Sequence, residues 1–124
     1  KHNGGILFRT ISENEYQFKA IINENHLNAA GITHGGFIAA FVDAGAGTAA
    51  HRSANNSPCV TISLELKFIS AVKLGQELIG NTKIQKKTKT MVFLTSELTA
   101  GNRIVATASG VWKILKLTGA GPGG

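Results

Sequence analysis

Several residue types are scarce in this chain of 124 residues, and each shortage excludes a class of protein. A single cysteine, Cys59, cannot form the disulfide framework of a small secreted domain, so we expect a reducing, cytoplasmic location. One tryptophan and one tyrosine leave the lysines without interleaved aromatic rings, which argues against a stacking platform for nucleic acid. The chain also lacks a leader-like apolar core after Lys1 and any apolar run long enough to span a bilayer. Neither nucleic acid nor a membrane is therefore an expected partner.

The composition is that of an ordinary globular domain. Hydrophobic residues make up 43% and charged residues 16%, and the length suits one domain with a buried core. We expect that domain to cover residues 1–117, with a flexible glycine-rich tail over residues 118–124. The net charge of +6 favours an anionic partner and leaves a small phosphorylated ligand open.

Hydrophobic periodicity divides the chain into strands around one long helix. An almost wholly apolar run predicts a helix from about His34 to Arg52, whose basic last turn suits the helix dipole. Two short strands precede the helix and a four-stranded meander follows it, which predicts an α+β fold with an antiparallel sheet on a single helix. The predicted strands are residues 6–10, 16–22, 61–68, 78–85, 91–99 and 103–117.

The strand that follows the helix alternates with a period of two. Its pattern predicts one apolar face and one polar face. The apolar face holds Ile62, Leu64, Leu66 and Phe68, and the polar face holds Thr61, Ser63, Glu65 and Lys67.

The segment from Asn28 to Asp43 carries the strongest chemical signal. Asp43 is the one acid in the apolar run, which we expect to form a buried helix. A desolvated carboxylate costs roughly several kcal/mol or has its pKa shifted upward, so an acid at such a position is expected to have a use. Just before that run, Gly35 and Gly36 let the backbone approach a ligand and point free N–H groups at it. An acid and an amide-rich helix start are two parts of an acyl-transfer site.

These residues resemble a known family. The pattern Asn28-x-x-Gly31-x-x-His34-Gly35-Gly36, the acid nine residues after His34 and the segments 60–61, 68–75 and 86–90 are similar to hotdog-fold acyl-CoA thioesterases of the PaaI-like group. The resemblance covers residues 28–115. It implies an antiparallel sheet of five to six strands wrapped around one long central helix. It further implies a homodimer or homotetramer with active sites at subunit interfaces, an acyl-CoA substrate and no cofactor.

The resemblance also implies catalytic roles. Asp43, lent by the partner subunit, is expected to act as general base for water or as the nucleophile. The backbone N–H of Gly35 is expected to bind the thioester oxygen, with Asn28 as a second donor or a clamp at the sulfur end. Thr61 stands where similar enzymes place a hydroxyl that orients the water. His34 is expected chiefly to fix the turn by a hydrogen bond.

Further residues are expected to bind coenzyme A. The resemblance places a basic turn near the nucleotide end of the ligand, where compact positive charge suits its phosphates. Gly36 joins these residues at the helix start. The predicted coenzyme A contacts are Gly36, Lys86, Lys87, Thr88 and Lys89.

Other interpretations stay open at this point. Asp43 can be a structural acid, the glycines a close-packed helix start and the lysine turn a solvated hairpin. An acyl-thioester dehydratase or hydratase and a non-catalytic acyl-CoA binding module are the alternative functions. The absence of a Gly-x-Ser-x-Gly motif argues against a serine esterase, and the histidines lack metal-ligand spacing. The acyl group and the choice between dimer and tetramer are not predicted.

Overall fold

The computed structural model describes residues 6–22 and 35–115. It contains every predicted element, with ends displaced by no more than three residues. Strands β1 (Leu7–Ser12) and β2 (Glu15–Ile21) precede helix α1 (Gly35–Ser53). Four strands follow the helix: β3 (Cys59–Phe68), β4 (Glu77–Lys87), β5 (Met91–Ala100) and β6 (Arg103–Ile114).

The six strands form one antiparallel sheet in the order β1-β2-β4-β5-β6-β3. The prediction of a four-stranded meander is wrong, because β3 pairs with β6 and lies at the edge, while β4 pairs with β2. Only β4, β5 and β6 form a meander. The reason lies in the connection between β3 and β4, whose residues 69–76 are too many for a usual hairpin loop and carry the chain past two strands.

The sheet wraps around α1, which contacts strands β2 to β6. The face of the sheet toward the helix is apolar and forms the core together with the buried side of α1. The largest fully buried side chains include Trp112, Phe18 and Phe41. Burial of such side chains is the main favourable term in the free energy of folding.

Two glycines make room for one aromatic ring at the centre of this core. Phe18 is fully buried between α1 and β4. A Cβ atom added at Gly45 of the helix or at Gly80 of β4 would overlap the Phe18 ring. The helix therefore approaches the sheet closely at this point, and that approach fixes the position of the rest of α1.

Candidate active site

Asp43 lies on the side of α1 that the sheet does not cover. Its side chain is exposed, so the expectation that the whole apolar helix is buried is wrong on this side. The cause is geometric, because a sheet on one side of a helix leaves the opposite side open in a single chain. The exposed residues before Asp43 on this side of the helix are small, with Ala40 about one turn and Gly36 about two turns before it, so the helix surface beside the carboxylate is accessible.

Thr61 reaches Asp43 because β3 contains a β-bulge. Thr61 pairs with Trp112 and Ser63 pairs with Val111, so Ile62 is an extra residue without a partner in the ladder. The bulge changes the alternation predicted from the sequence, and Thr61 shares the helix side of the sheet with buried Trp112. The predicted polar face therefore loses Thr61, and Ile62 is 53% exposed instead of packed in the core.

A hydrogen bond joins the two predicted catalytic side chains. Thr61 Oγ1 donates to Asp43 Oδ1 over 3.1 Å, between the edge strand and the exposed side of the helix. The two residues are 18 positions apart in the chain, so the fold brings them together. A hydroxyl fixed beside an accessible carboxylate is an arrangement that can hold a water molecule for attack.

The helix start is displaced from Asp43 along the helix axis. Helix α1 begins at Gly35, eight residues before Asp43, which corresponds to about 12 Å of helical rise. The first N–H groups of a helix have no carbonyl partner within the helix, so this is the end of α1 that suits an anion or a carbonyl oxygen. Gly36 is exposed, and nothing lies within 4 Å of the position a Cβ would occupy there. The predicted roles of Asn28 and His34 fall outside the described residues.

The four predicted residues of the basic turn do not form one cluster. A bulge at Gln85 of β4 pairs Lys86 with Phe93 and Lys87 with Val92, whose side chain is in the core, so Lys87 lies on the helix side of the sheet and Lys86 on the opposite side. Lys87 Nζ donates to the backbone oxygen of Ser53 over 2.5 Å and thereby caps the last turn of α1.

Thr88 shapes the turn, and the lysines around it are exposed. Thr88 Oγ1 accepts hydrogen bonds from the backbone N–H groups of Thr90 (3.2 Å) and Met91 (3.0 Å). Lys86, Lys87 and Lys89 are all exposed, but the ammonium of Lys87 is engaged at Ser53, so Lys86 and Lys89 are the better candidates for binding a ligand. Nothing in the sequence signalled that Lys87 would belong to the helix end, because the bulge that turns it inward has no proline or glycine to mark it.

Cys59 lies two residues before Thr61 and is half-buried. Burial raises the pKa of the Cys59 thiol, which keeps it protonated at neutral pH and unsuited to nucleophilic attack. Within residues 6–22 and 35–115, no group of three or more His, Cys, Asp or Glu side chains is placed to hold a metal ion. In the same part of the chain, no helix is long and apolar enough to cross a membrane.

Residues 30–107 match the family described as the thioesterase superfamily. The chain belongs to this superfamily. A superfamily relative from Pseudomonas aeruginosa, named as an esterase, is 36% identical over 94 residues, which are 75% of this chain and 70% of the relative. Mouse acyl-coenzyme A thioesterase 13 is 31% identical over 78 residues, which are 63% of this chain and only 56% of the mouse protein.

Solved structures share the fold of this chain. The smu.793 protein of Streptococcus mutans, solved with bound acetyl CoA, has a TM-score of 0.84 at 17% identity and covers 93% of this chain and 92% of its own. A mutant of the phenylacetic acid degradation protein PaaI from Thermus thermophilus has a TM-score of 0.80 at 20% identity, covering 90% and 94%. The predicted hotdog fold and PaaI-like thioesterase family are thus confirmed, and the protein is a thioester hydrolase.

Proposed function

We propose that the protein is an acyl-CoA thioesterase, which hydrolyses an acyl-CoA to a free acid and coenzyme A with the help of Asp43 and Thr61. The observation that carries the proposal is the hydrogen bond between these two side chains on an accessible surface of small residues. Support for the substrate comes from a relative named as an acyl-coenzyme A thioesterase and from a structural neighbour with bound acetyl CoA. The single cysteine favours the cytoplasm as the place where the enzyme works.

The donors and acceptors of Asp43 and Thr61 determine how the pair would orient an attacking water molecule. The Thr61 hydroxyl has one proton, which it donates to Asp43 Oδ1, so toward water its oxygen only accepts. Asp43 Oδ2 is then the acceptor for one water proton and Thr61 Oγ1 the acceptor for the other. A water molecule held in this way directs a lone pair of its oxygen away from both groups and toward the thioester carbonyl.

The reaction then proceeds as general-base hydrolysis. The water oxygen bonds to the carbonyl carbon while one proton passes to Asp43, and the carbonyl oxygen becomes an oxyanion. Collapse of this intermediate breaks the carbon–sulfur bond, and the proton held by Asp43 passes to the departing thiolate of coenzyme A. The N–H group of Gly35 at the helix start stabilises the oxyanion, with Asn28 as a second donor and His34 fixing the turn.

One chain alone does not complete this site. The rise of about 12 Å from Gly35 to Asp43 is too long for both groups to act on one carbonyl, since each must lie about 3 Å from the reacting atoms. We therefore infer a homodimer in which Asp43 of one copy faces the helix start of the other.

The free edge of β3 is the surface that a second copy fits. Within residues 6–22 and 35–115, only one side of this strand is paired, and its ten residues include the exposed apolar side chains Val60, Ile62 and Phe68. An unpaired, apolar strand edge next to the Thr61–Asp43 pair favours pairing with the same strand of another copy. Such a contact places two α1 helices side by side along the continued sheet.

The nucleotide end of coenzyme A is assigned to exposed basic residues of the turn after β4. Lys86 and Lys89 supply positive charge for the phosphates, and Gly36 leaves space at the helix start. Lys87 and Thr88 support this site indirectly, because one caps α1 and the other shapes the turn.

An assay with acyl-CoA thioesters and a thiol reagent tests the function. We expect release of one thiol for each free acid formed, at a rate that Asp43→Asn lowers strongly while the Glu13→Gln control, which changes an exposed acid of the β1–β2 turn, does not. Tight binding of acyl-CoA without thiol release would replace the enzyme with a binding module. Appearance of a hydrated or dehydrated acyl-CoA with its thioester intact would indicate a hydratase or dehydratase.

A further inference from the structure

The helix-facing side of β3 carries a row of apolar side chains that residues 6–22 and 35–115 cover only in part. Leu66 pairs with Ala108 of β6 and Phe68 with Ala106, and both alanines belong to the core. The row therefore lies on the helix side, and it includes Leu64, two positions before Leu66. Leu64 and Leu66 are half-buried and Phe68 is 55% exposed. An accessible apolar row beside a reactive pair favours an apolar ligand.

The row continues directly from the Asp43–Thr61 pair. Thr61 lies on the helix side of β3 because of the bulge, and Leu64 holds the next ladder position on that side. Ala40, about one turn before Asp43, is small and exposed, so the helix leaves space above the row. The two charged residues of β3 alternate with the leucines and lie on the opposite side of the sheet. The space between α1 and β3 next to Asp43 is therefore an apolar slot.

Pairing of β3 with the β3 of a second copy brings the row of one copy to the Thr61 of the other. β3 has nine ladder positions in its pairing with β6, and Leu64 is the fifth, so a two-fold axis at Leu64 pairs the whole strand with itself. Thr61 then lies opposite Leu66 of the other copy, on the same side of the sheet. The nearest register in one direction places Glu65 opposite Glu65, which is destabilising, and the nearest in the other direction leaves Phe68 without a partner.

The two ends of an acyl-CoA have different surroundings at this pair. Lys87 ties the β4–β5 turn to Ser53, ten residues after Asp43, so the exposed lysines of that turn lie toward the last turn of α1. β3 starts from the same end, because it follows α1 after a short loop, meets Asp43 at Thr61 and continues away from the lysines. The lysines attract the phosphates of coenzyme A, which leaves the leucines to the acyl group.

We propose that Leu66 of one copy and Leu64 of the other form the floor of the acyl subsite, and that Leu66 selects uncharged, apolar acyl groups. This inference rests on the proposed acyl-CoA thioesterase activity and on the dimer through β3. An aliphatic chain that leaves the carbonyl beside Asp43 loses its contact with water on these leucines, which stabilises the bound substrate and transition state. A second carboxylate in the acyl group would lose its hydration there, close to the like charge of Asp43.

The kinetics of acyl-CoAs that differ only in the acyl group test this selection. The wild type should have a kcat/KM for hexanoyl-CoA about 10²-fold above that for acetyl-CoA, because each buried methylene contributes about fourfold. Its kcat/KM for succinyl-CoA should also lie below that for hexanoyl-CoA. Leu66→Ala should lower the hexanoyl-to-acetyl ratio about tenfold, because only the longer group covers this side chain. Ile104→Ala is the matched control, since it removes an equally apolar side chain, 42% exposed on β6, and should keep the ratio.

Mixing of variants shows in which copy Leu66 acts. Leu66→Ala chains, which keep Asp43, are co-refolded with a large excess of Asp43→Ala chains, which keep Leu66, and Asp43→Ala refolded alone gives the background rate. Nearly every active site then combines Asp43 of the first chain with Leu66 of the second, so the hexanoyl-to-acetyl ratio should return to the wild-type value. A ratio as low as that of Leu66→Ala alone would place Leu66 in the site of its own chain and overturn the proposal.

A cross-link measures the register. With oxidised glutathione, Leu64→Cys should form a disulfide-linked dimer on a gel, because its two copies lie directly opposite at a Cα distance of about 5 Å. Leu66→Cys should not, because four ladder positions, about 13 Å, separate its copies. The wild type should not link either, because Cys59 lies at the end of the ladder, far from the axis. A linked Leu66→Cys or an unlinked Leu64→Cys overturns the register.

The wild-type series decides the question even if a variant fails to fold, which thermal melting reveals. A wild type whose kcat/KM for acetyl-CoA or succinyl-CoA equals that for hexanoyl-CoA overturns the inference and leaves the thioesterase proposal in place. A folded Leu66→Ala enzyme with an unchanged ratio does the same. Absence of thiol release from all of these substrates overturns the thioesterase proposal as well.

Discussion

Thr61 Oγ1 donates a 3.1 Å hydrogen bond to Asp43 Oδ1 and so links the edge strand of the sheet to the open side of the helix. The contact depends on the extra residue Ile62, because the bulge turns Thr61 to the helix side. The only hydroxyl proton of Thr61 is used in this bond. Asp43 Oδ2 and a lone pair of Thr61 Oγ1 can therefore accept hydrogen bonds from a water molecule. The catalytic proposal follows from that count of donors and acceptors.

Replacement of Asp43 by Ala or Asn should lower kcat by about 10²–10⁴ while substrate binding persists, because the general base is removed. Asp43 is exposed, so the melting temperature should change little. Steady-state kinetics with an acyl-CoA and calorimetry of binding check both statements. An Asp43→Asn enzyme within a few-fold of wild type would show that the carboxylate is not the base.

Thr61 should tolerate Ser and not Val. Thr61→Ser keeps the hydroxyl that donates to Asp43, so kcat should stay within a few-fold of wild type. Thr61→Val has the same shape and strand propensity but no donor, and loss of a hydrogen bond to a charged group, about 1.5–3 kcal/mol, should lower kcat by about 10- to 150-fold. Equal kinetics of the Ser and Val variants would remove Thr61 from the mechanism.

The sequence predicted the elements of this fold well and their pairing less well. Alternation and apolar runs mark a strand or a helix locally, so the helix and all six strands were found. The pairing of β3 with β6 depends on contacts distant in sequence, which periodicity does not report. The β-bulges were not predicted either, because the extra residues Ile62 and Gln85 look like ordinary strand residues in the sequence. These bulges determine which face of the sheet Thr61 and Lys87 lie on.

The sequence predicted which residues form the candidate site, but neither their exposure nor the need for a second copy. Asp43 was recognisable as an isolated acid in an apolar run, and the structure joins it to the predicted Thr61. Its exposure was not predictable, because a helix that is apolar all round gives no signal of which side the sheet leaves open. The distance from Gly35 to Asp43 becomes an argument for a second copy only once the helix is known to be continuous between them.

Close packing around Phe18 makes Gly45 a sensitive core position. Gly45→Ala should lower the free energy of unfolding by about 1–3 kcal/mol, because the added methyl group overlaps the buried Phe18 ring. Gly36→Ala, in the same helix but with open space around it, should be neutral or stabilising by up to about 1 kcal/mol. Urea unfolding of both variants measures the difference. Phe18→Leu in the Gly45→Ala background should recover part of the loss, and no recovery would argue against the clash.

The lysines near the β4–β5 turn should separate into two classes. Lys86→Ala with Lys89→Ala should raise KM for acyl-CoA and leave kcat nearly unchanged, because ground state and transition state lose the same phosphate contacts. The effect should fade with added salt and be absent with an N-acetylcysteamine thioester, which has no phosphates. An equal loss on both substrates would assign these lysines to folding or assembly.

Lys87→Ala serves as the matched comparison for that pair. Its ammonium caps the helix at the Ser53 carbonyl, so the substitution should lower stability by about 0.3–1 kcal/mol and leave the salt dependence of KM as in the wild type. Thermal melting beside the same kinetic series distinguishes the two classes. If the KM of Lys87→Ala for acyl-CoA no longer depended on salt, Lys87 would be a coenzyme A contact after all.

Mixed assemblies test whether one active site draws on two copies. Asp43→Ala removes the base, and Gly35→Pro removes one N–H at the helix start, where proline is tolerated in the first turn. If Asp43 of one copy works with Gly35 of the other, each mixed dimer of the two inactive variants regains one intact site and combines both defects in its second. Half of the dimers formed by random exchange are mixed, so co-refolding equal amounts should restore about a quarter of the wild-type activity. If both groups served a site within one chain, every chain would remain defective and mixing would restore nothing. Recovery of activity in the mixture therefore tests whether the site is shared between copies, as the rise of about 12 Å between the two groups within one chain requires.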